Sequence, residues 1–451
     1  MRPLPLRCRA AFGLLALIAL GLVAAAPAAA TTSDEDALAQ KFAPVVRLVE
    51  QQEECGPGEP YLPSDVDILF GEPTVALRGP WNPTDLVKIG PVADDLVNRY
   101  EYHLDFPGNP LDPGCSYEKW SRRITGDGKP TVYAHVASDP GFPGKLSLQY
   151  WFFYVFNDFN NKHEGDWEMI QLDFEADTAA EALTKEPYEV GYSSHEGAER
   201  STWDDEKLTL EGGTHPVVYP AAGSHANKYT AALYIGSSAD AGVGCDDTRS
   251  PHTELRPVVL TVPGDPAAVV AKYPWLSFEG RWGELQPAFF NGPTGPNLKG
   301  QWTHPIEWAQ NDWRDRSYAV PTGGLFGTGA TDLFCTGVAR GSQALMQLVN
   351  NPVPTLIVLG AAIALIVWIA VKMTWTPIAP LRLGRRRAAG QILASSARMY
   401  LKHPRLFLTI GGVLIPLAFA VPAWTHSGAM GIVWLITVSC WVRTAGSIFQ
   451  V

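Results

Sequence analysis

The chain has 451 residues, with 35 Lys and Arg against 46 Asp and Glu and a formal net charge of −11. The charge is unevenly spread: residues 31–345 hold all 46 acids and only 23 of the basic residues. Such an acidic region argues against a nucleic-acid partner and against simple electrostatic docking on anionic lipid, and suits a soluble domain or one that uses divalent cations.

Residues 1–30 read as a secretory signal, with a basic start (Arg2, Arg7, Arg9), an apolar run Phe12–Ala26 and the small residues Ala28-Ala29-Ala30. Residues 31–345 are rich in Gly, Pro, Trp and Tyr, with short apolar runs between turn clusters. This pattern predicts a mainly β fold, an exported β-sandwich with long loops. Helical periodicity is confined to Ala37–Val49 and Thr178–Lys185. Strands are expected at Thr131–Ala137, Leu146–Phe156, Trp167–Phe174, Glu189–Ser194, His215–Ala221 and Val258–Val262. Gly56-Pro57-Gly58, Pro107–Gly114 and Gly292-Pro293-Thr294-Gly295-Pro296 mark turns and loops. Tyr150 to Phe156 is aromatic on both faces, which predicts a central strand covered on both sides.

Residues 336–352 read as a linker to the membrane. The run 353–373 is apolar for one bilayer thickness, roughly 20 residues. A second span is expected over 406–424 and a third, shorter one over 429–442. Between the first two, residues 374–405 hold Arg382, Arg385, Arg386, Arg387, Arg398, Lys402 and Arg405 and no acid, which puts that loop in the cytoplasm and the β domain outside. Of six cysteines, Cys8 belongs to the signal and Cys440 to an apolar run. Cys55, Cys115, Cys245 and Cys335 remain for disulfides in an exported domain, with three pairings open. No Cys-x-x-Cys is present, which argues against a zinc ribbon or a thioredoxin-like site.

The chemistry concentrates in His163-Glu164-Gly165-Asp166-Trp167-Glu168, which runs into the alternating Met169-Ile170-Gln171-Leu172-Asp173-Phe174. Residues two apart on a strand share a face, so Asp166 and Glu168 point with Ile170, Leu172 and Phe174 toward the apolar side of a sheet. Carboxylates there need a cation, a base or a proton. A metal ion held by Asp158, His163, Asp166 and Glu168 is the simplest solution. Three oxygen ligands and one imidazole suit Ca²⁺ or Mg²⁺, with Mn²⁺ next and zinc lower. The alternative is a salt-bridge cluster using Lys162 or a distant Arg. Small residues flank Ser224-His225, which suggests a tight turn. His225 either reaches the cluster as ligand or general base or makes a structural hydrogen bond. Tyr192-Ser193-Ser194-His195-Glu196-Gly197 is a weaker candidate. No Gly-x-Ser-x-Gly, Walker loop or His-Glu-x-x-His is present.

Several tracts together resemble the vacuolar protein sorting-associated protein 62 family. They are Tyr150–Phe174, Tyr219-Pro220, Gly223-Ser224-His225-Ala226, Ala43-Pro44-Val45, Tyr61-Leu62-Pro63-Ser64, and Gly292 to Pro296 with Trp302. The resemblance spans residues 38–313 and implies a domain without a firmly assigned reaction. More distantly, the central tract is similar to the necrosis-inducing (NPP1-like) cytolysins, whose heptapeptide is Gly-His-Arg-His-Asp-Trp-Glu. That likeness implies a β-sandwich with a divalent cation on Asp158, His163, Asp166 and Glu168 that recognises membrane glycolipid. Here Lys162 stands in place of the Gly and Glu164-Gly165 in place of Arg-His.

The expected function is a membrane-anchored extracytoplasmic protein of unassigned activity, with a divalent-cation site that binds a glycan, lipid headgroup or envelope partner. The first alternative is a metal-dependent hydrolase of an envelope ester or phosphoester with His225 or Glu164 as base. The second is a purely structural ion that fastens loops.

Overall fold

The computed structural model describes residues 33–80, 82–195, 197–320, 327–373 and 388–409. The signal, the second and third expected spans and most arginines of the basic loop lie outside the described residues. The domain that follows is mostly β, in four sheets.

Ser33 caps a helix over Asp34–Lys41 by accepting the Asp36 N–H at 3.0 Å. The helix expected to run to Val49 ends early. Pro44 has no N–H to continue it, and the β-branched Val45 and Val46 instead enter strand β1 (Val45–Leu48). The Thr178–Lys185 helix contracts to a single turn, Ala179–Ala182, capped by Thr178.

The expected strands all form. They are β2 (Thr131–Ser138), β3 (Leu146–Asn157), β4 (His163–Phe174), β5 (Glu189–Ser193) and β7 (His215–Pro220), with Val258–Val262 further on; between β5 and β7 an unexpected strand, β6 (Ala198–Thr202), also forms. Further on come β8 (Leu233–Ser238), β9 (Gly242–Asp247), β10 (Thr253–Leu255), β11 (Val258–Val262) and β12 (Trp313–Arg314). The central sheet has seven strands in the order β11-β2-β3-β4-β5-β6-β12. β2 to β6 are antiparallel neighbours, while β11 and β12 close the two edges in parallel. β3 and β4 stand in the middle and every residue of both is buried.

One face of this sheet packs on Phe42, Tyr61 and the β1/β7 layer through contacts such as Phe42 on Phe174 and Tyr192 Oη to Val217 O at 3.0 Å. The other face is covered by helical turns and loops of residues 273–313, which carry Trp275, Trp282 and Trp302 against Trp167 and Trp151. The covering layer on that side combines helical turns and loops with the short strand Glu279–Arg281.

Two features position the site. β4 begins at His163, four residues before the expected start, and pairs with β3 along its length but with β5 only from Ile170 to Asp173. Its first half thus has an open side. Gly165 also sits at φ +64° with the Trp282 carbonyl pressed against it, so that a Cβ would lie 1.9 Å from that oxygen.

The expected linker is instead a 24-residue helix, α1 (Gly327–Asn350). It docks on the β8–β9 hairpin because the Cys245–Cys335 disulfide joins them and Ser342 Oγ accepts the Val243 N–H at 3.0 Å. Cys55 pairs with Cys115. After α1 comes α2 (Pro352–Lys372), 21 residues and unburied, the one helix among the described residues long and apolar enough to cross a membrane. A shorter helix, α3 (Ala389–Lys402), follows.

Gly165→Ala is expected to destabilise the domain by at least about 1–2 kcal/mol from the left-handed backbone alone, with the steric clash in addition. Thermal unfolding of the full chain in detergent checks this; an unchanged midpoint would contradict the close approach.

Candidate functional site

Where β4 and β5 part, a cavity of about 510 Å³ opens. Its walls include Asn157, His163, Asp166 and Glu168 from the β3–β4 hairpin, Ser193 and His195 from the end of β5, and Arg281 and Lys299 from the covering loops.

The alternation read from the sequence holds. Asp166 lies opposite Tyr154 and Glu168 opposite Phe152, and both carboxylates are buried. Each is neutralised differently. Asp166 Oδ2 accepts the Nδ1–H of His225 at 2.8 Å, and His225 Nε2 lies 3.3 Å from Glu59 Oε1. His225 is fully buried, stacked on Tyr154 with ring centroids 3.8 Å apart. Burial alone would lower its pKa, but the charges of Glu59 and Asp166 and the hydrogen bonds to them raise it to about 10. Burial likewise pushes Asp166 upward, and the His225 hydrogen bond and charge outweigh this and hold it below the usual carboxylate range. Glu168 has no such partner. Its Oε2 accepts the Ser193 hydroxyl, while burial, then the neighbouring Asp166 charge, push its pKa up to about 7.

His163 is braced at both nitrogens. Nδ1–H donates to Gly165 O at 2.7 Å, and Nε2 accepts the Asn157 amide at 2.7 Å. The Asn157 amide is oriented by the Phe159 N–H on its Oδ1 at 2.8 Å. Burial holds the His163 pKa below the ordinary histidine value, so the ring is neutral.

Asp158 is not with the others. β3 ends at Asn157, and the next residue turns into a second cavity of about 400 Å³, where the half-exposed Asp158 pairs with Lys162. The structure therefore brings His163, Asp166 and Glu168 to one cavity and leaves Asp158 out. Glu164, a candidate base, is also elsewhere. It is fully buried and accepts the Tyr117 hydroxyl at 2.7 Å and the Phe106 and Glu284 N–H groups at 2.9 and 2.8 Å. His225 is enclosed as well, so neither candidate base opens onto the cavity.

For a cation, the useful observation is one free oxygen on each carboxylate. Asp166 Oδ1 and Glu168 Oε1 receive no hydrogen bond from the described residues, whose bonds go to the other oxygen of each group. His163 adds a donor only by releasing Asn157. Among the described residues, the groups of three carboxylate or imidazole donors within 4.8 Å of one another are two others: Asp139 with His304 and Glu307, and Asp105 with Glu164 and Glu284.

Two participants, Arg281 and Lys299, escaped sequence reasoning, and a third, His195, is legible there only as a weaker candidate. His195, at φ +60°, lines the cavity with Nε2 3.0 Å from the buried Asp246, which also binds Lys228 Nζ at 3.0 Å and the Ser224 hydroxyl at 2.7 Å. Arg281 ends the short strand Glu279–Arg281 and Lys299 follows the helical turn Pro296–Leu298, on either side of the tract read as turns. No local spacing could reveal them, because their partners are distant in sequence.

No protein-family model matches the chain, and no curated relative does, so the resemblance to the vacuolar protein sorting-associated protein 62 family rests on the quoted motifs. Among solved structures, the chain is similar to NLPPya in complex with mannosamine, at 13% identity and TM-score 0.32 over 62% of this chain and 92% of that one. It is also similar to a structure described as a toxin fold for microbial attack and plant defense, at 14% identity and TM-score 0.28 over 53% and 79%. A third is Necrosis and Ethylene inducing Protein 2 from the causal agent of cocoa's Witches Broom disease, at 16% identity and TM-score 0.26 over 52% and 77%. Superpositions this loose assign no ligand and no residue role here.

Two pH effects follow. His225 has a folded-state pKa above its unfolded value, so its contribution is complete below about pH 6.5 and is lost as pH rises through about 10. His225→Phe is expected to cost about 3–5 kcal/mol at neutral pH by leaving Asp166 and Glu59 unpaired, and the deficit shrinks toward pH 10. Glu168 is also raised, so stability drains as pH climbs from its ordinary value through about 7. Glu168→Gln therefore flattens the unfolding free energy between pH 5 and 8. A slope as steep as that of the wild type would refute the assignment.

Proposed function

We propose that the chain is a membrane-anchored, extracytoplasmic binding protein. Its cavity at the open side of β4 takes a polar ligand, a glycan, a lipid headgroup or another envelope component, with a divalent cation held on Asp166 and Glu168. The observation that carries this is the pair of buried carboxylates that present unbonded oxygens in a cavity whose walls also offer amides, hydroxyls and the cations Arg281 and Lys299 beside the aromatic rings of Trp151, Trp167 and Phe289. Ca²⁺ or Mg²⁺ suits such oxygen donors best, with Mn²⁺ next; His163 would have to shift to join them, because its two nitrogens are taken by Gly165 O and the Asn157 amide. Asp158, turned toward Lys162, is not part of this set.

The two disulfides suit an oxidising compartment, and α2 supplies the anchor. The signal, the cytoplasmic basic loop and the further spans complete this topology. The quoted motifs resemble those of the vacuolar protein sorting-associated protein 62 family, whose domain has no firmly assigned reaction.

A metal-dependent hydrolase is the second possibility, with a different base from the two first considered. His195, oriented by Asp246, is an imidazole on the cavity wall with a fixed carboxylate behind it. Turnover of an ester or phosphoester panel that is abolished by His195→Gln would favour catalysis over binding.

Metal analysis of the full chain, purified in detergent and equilibrated with Ca²⁺, tests the cation. The wild type is expected to retain about one ion that Asp166→Asn with Glu168→Gln loses, and chelation should lower its unfolding temperature, because the ion binds the folded state. Equal metal content in both proteins would remove the site.

A further inference from the structure

Arg281 and Lys299 line the cavity without an ionic partner. Arg281 Nη1 donates to Gly292 O at 2.9 Å and Lys299 Nζ to Trp167 O at 3.2 Å. Among the described residues, no carboxylate lies within ion-pair distance of either, although acids outnumber bases two to one in this domain. Glu168 and Asp166 act on Lys299 only from farther away. Two cations held on a cavity wall by backbone carbonyls, beside carboxylates that can carry a metal ion, form a receptor for a phosphate whose oxygens face both.

The source of that phosphate is indicated by what holds the cavity's outer walls. Ser238, Asp240 and Ala241 of the β8–β9 turn form one wall, and residues 288–292 form another. Both rest on the last turns of α1. Ser342 accepts the Val243 N–H, and the buried Asn350 accepts the N–H groups of Ala288 and Phe289 on its Oδ1, at 3.0 and 3.1 Å. Two residues later Pro352 begins the apolar span α2. Leu345 and Val349 on the same turns are exposed. The loop that rims the cavity is thus latched to the chain at the point where it enters the bilayer.

Resting on the binding role proposed above, we infer that the cavity takes the phosphate-bearing headgroup of an amphiphile from the membrane that anchors the chain, with the phosphate on Lys299 and Arg281. The acidic exterior of the domain repels anionic surfaces at long range, so selection falls to these two side chains within the cavity.

Calorimetric titration of the full chain in non-ionic detergent tests this with four probes: dihexanoylphosphatidylglycerol, dihexanoylglycerol, glycerol 3-phosphate and an uncharged methyl glycoside. The phospholipid is expected to bind at least tenfold more tightly than dihexanoylglycerol, which lacks the phosphate, and than glycerol 3-phosphate, which lacks the chains. Lys299→Met and Arg281→Gln should each weaken it about tenfold while unfolding at the wild-type temperature. Equal affinity for dihexanoylglycerol, equal affinity for glycerol 3-phosphate, or wild-type binding by both variants would overturn the inference. Binding of the glycoside alone would also overturn it, yet would leave the broader binding role standing; no binding of any probe would end both.

Discussion

A single buried imidazole governs the middle of this domain. His225 sits between Asp166 and Glu59, with no exposure to solvent, and Tyr154 covers its ring. The three charged groups come from the central strand β4, from the loop after β1 and from the turn after β7. Their mutual attraction closes those segments on one another. Each alone would be costly to bury, so the cluster forms as a unit or not at all. The turn that delivers His225 needs φ +52° at that residue and φ +82° at Gly223, which packs on the Asp158 carbonyl and gives its N–H to Glu59 at 2.8 Å. Backbone strain and charge pairing are therefore set against each other at the same place.

With Asp166 satisfied in this way, its neighbour Glu168 becomes the anomaly. It shares the face but has only a hydroxyl for a partner, and it faces the gap where β5 turns away from β4. The gap is kept open because Met169 N–H bonds to the Ser193 hydroxyl at 2.9 Å in place of a strand carbonyl. A sheet defect, a carboxylate of raised pKa and two cations without carboxylate partners thus coincide. Departures from regular structure that collect at one place are the usual mark of a functional region.

The rest of the core is conventional by comparison. Trp167 joins Phe153, Trp275 and Trp282 on the far face. The strands were legible because alternation and aromatic density are local. The early helix was overestimated because the apolar residues after Pro44 satisfy a helical period as well as a strand, and only pairing of Val45 and Val46 with Val217 and Val218 decides between them. The linker concealed a helix because its docking partner, the β8–β9 hairpin, lies nearly a hundred residues upstream and is joined to it by a disulfide whose pairing sequence leaves open.

The sequence by itself determined that Asp166 and Glu168 would face inward, since side-chain direction on a strand depends only on spacing. It also determined the extent of β3 and β11 and the apolar helix after Pro352. What compensates those carboxylates was decided by the tertiary structure alone. In the folded chain His225, with Glu59 behind it, meets Asp166, while burial and the neighbouring Asp166 charge raise the proton affinity of Glu168, groups brought together from separate segments. The same convergence removed Asp158 and Glu164 from the cavity. Electrostatic partners act through space, and proximity in space is the one quantity that spacing along a chain does not encode.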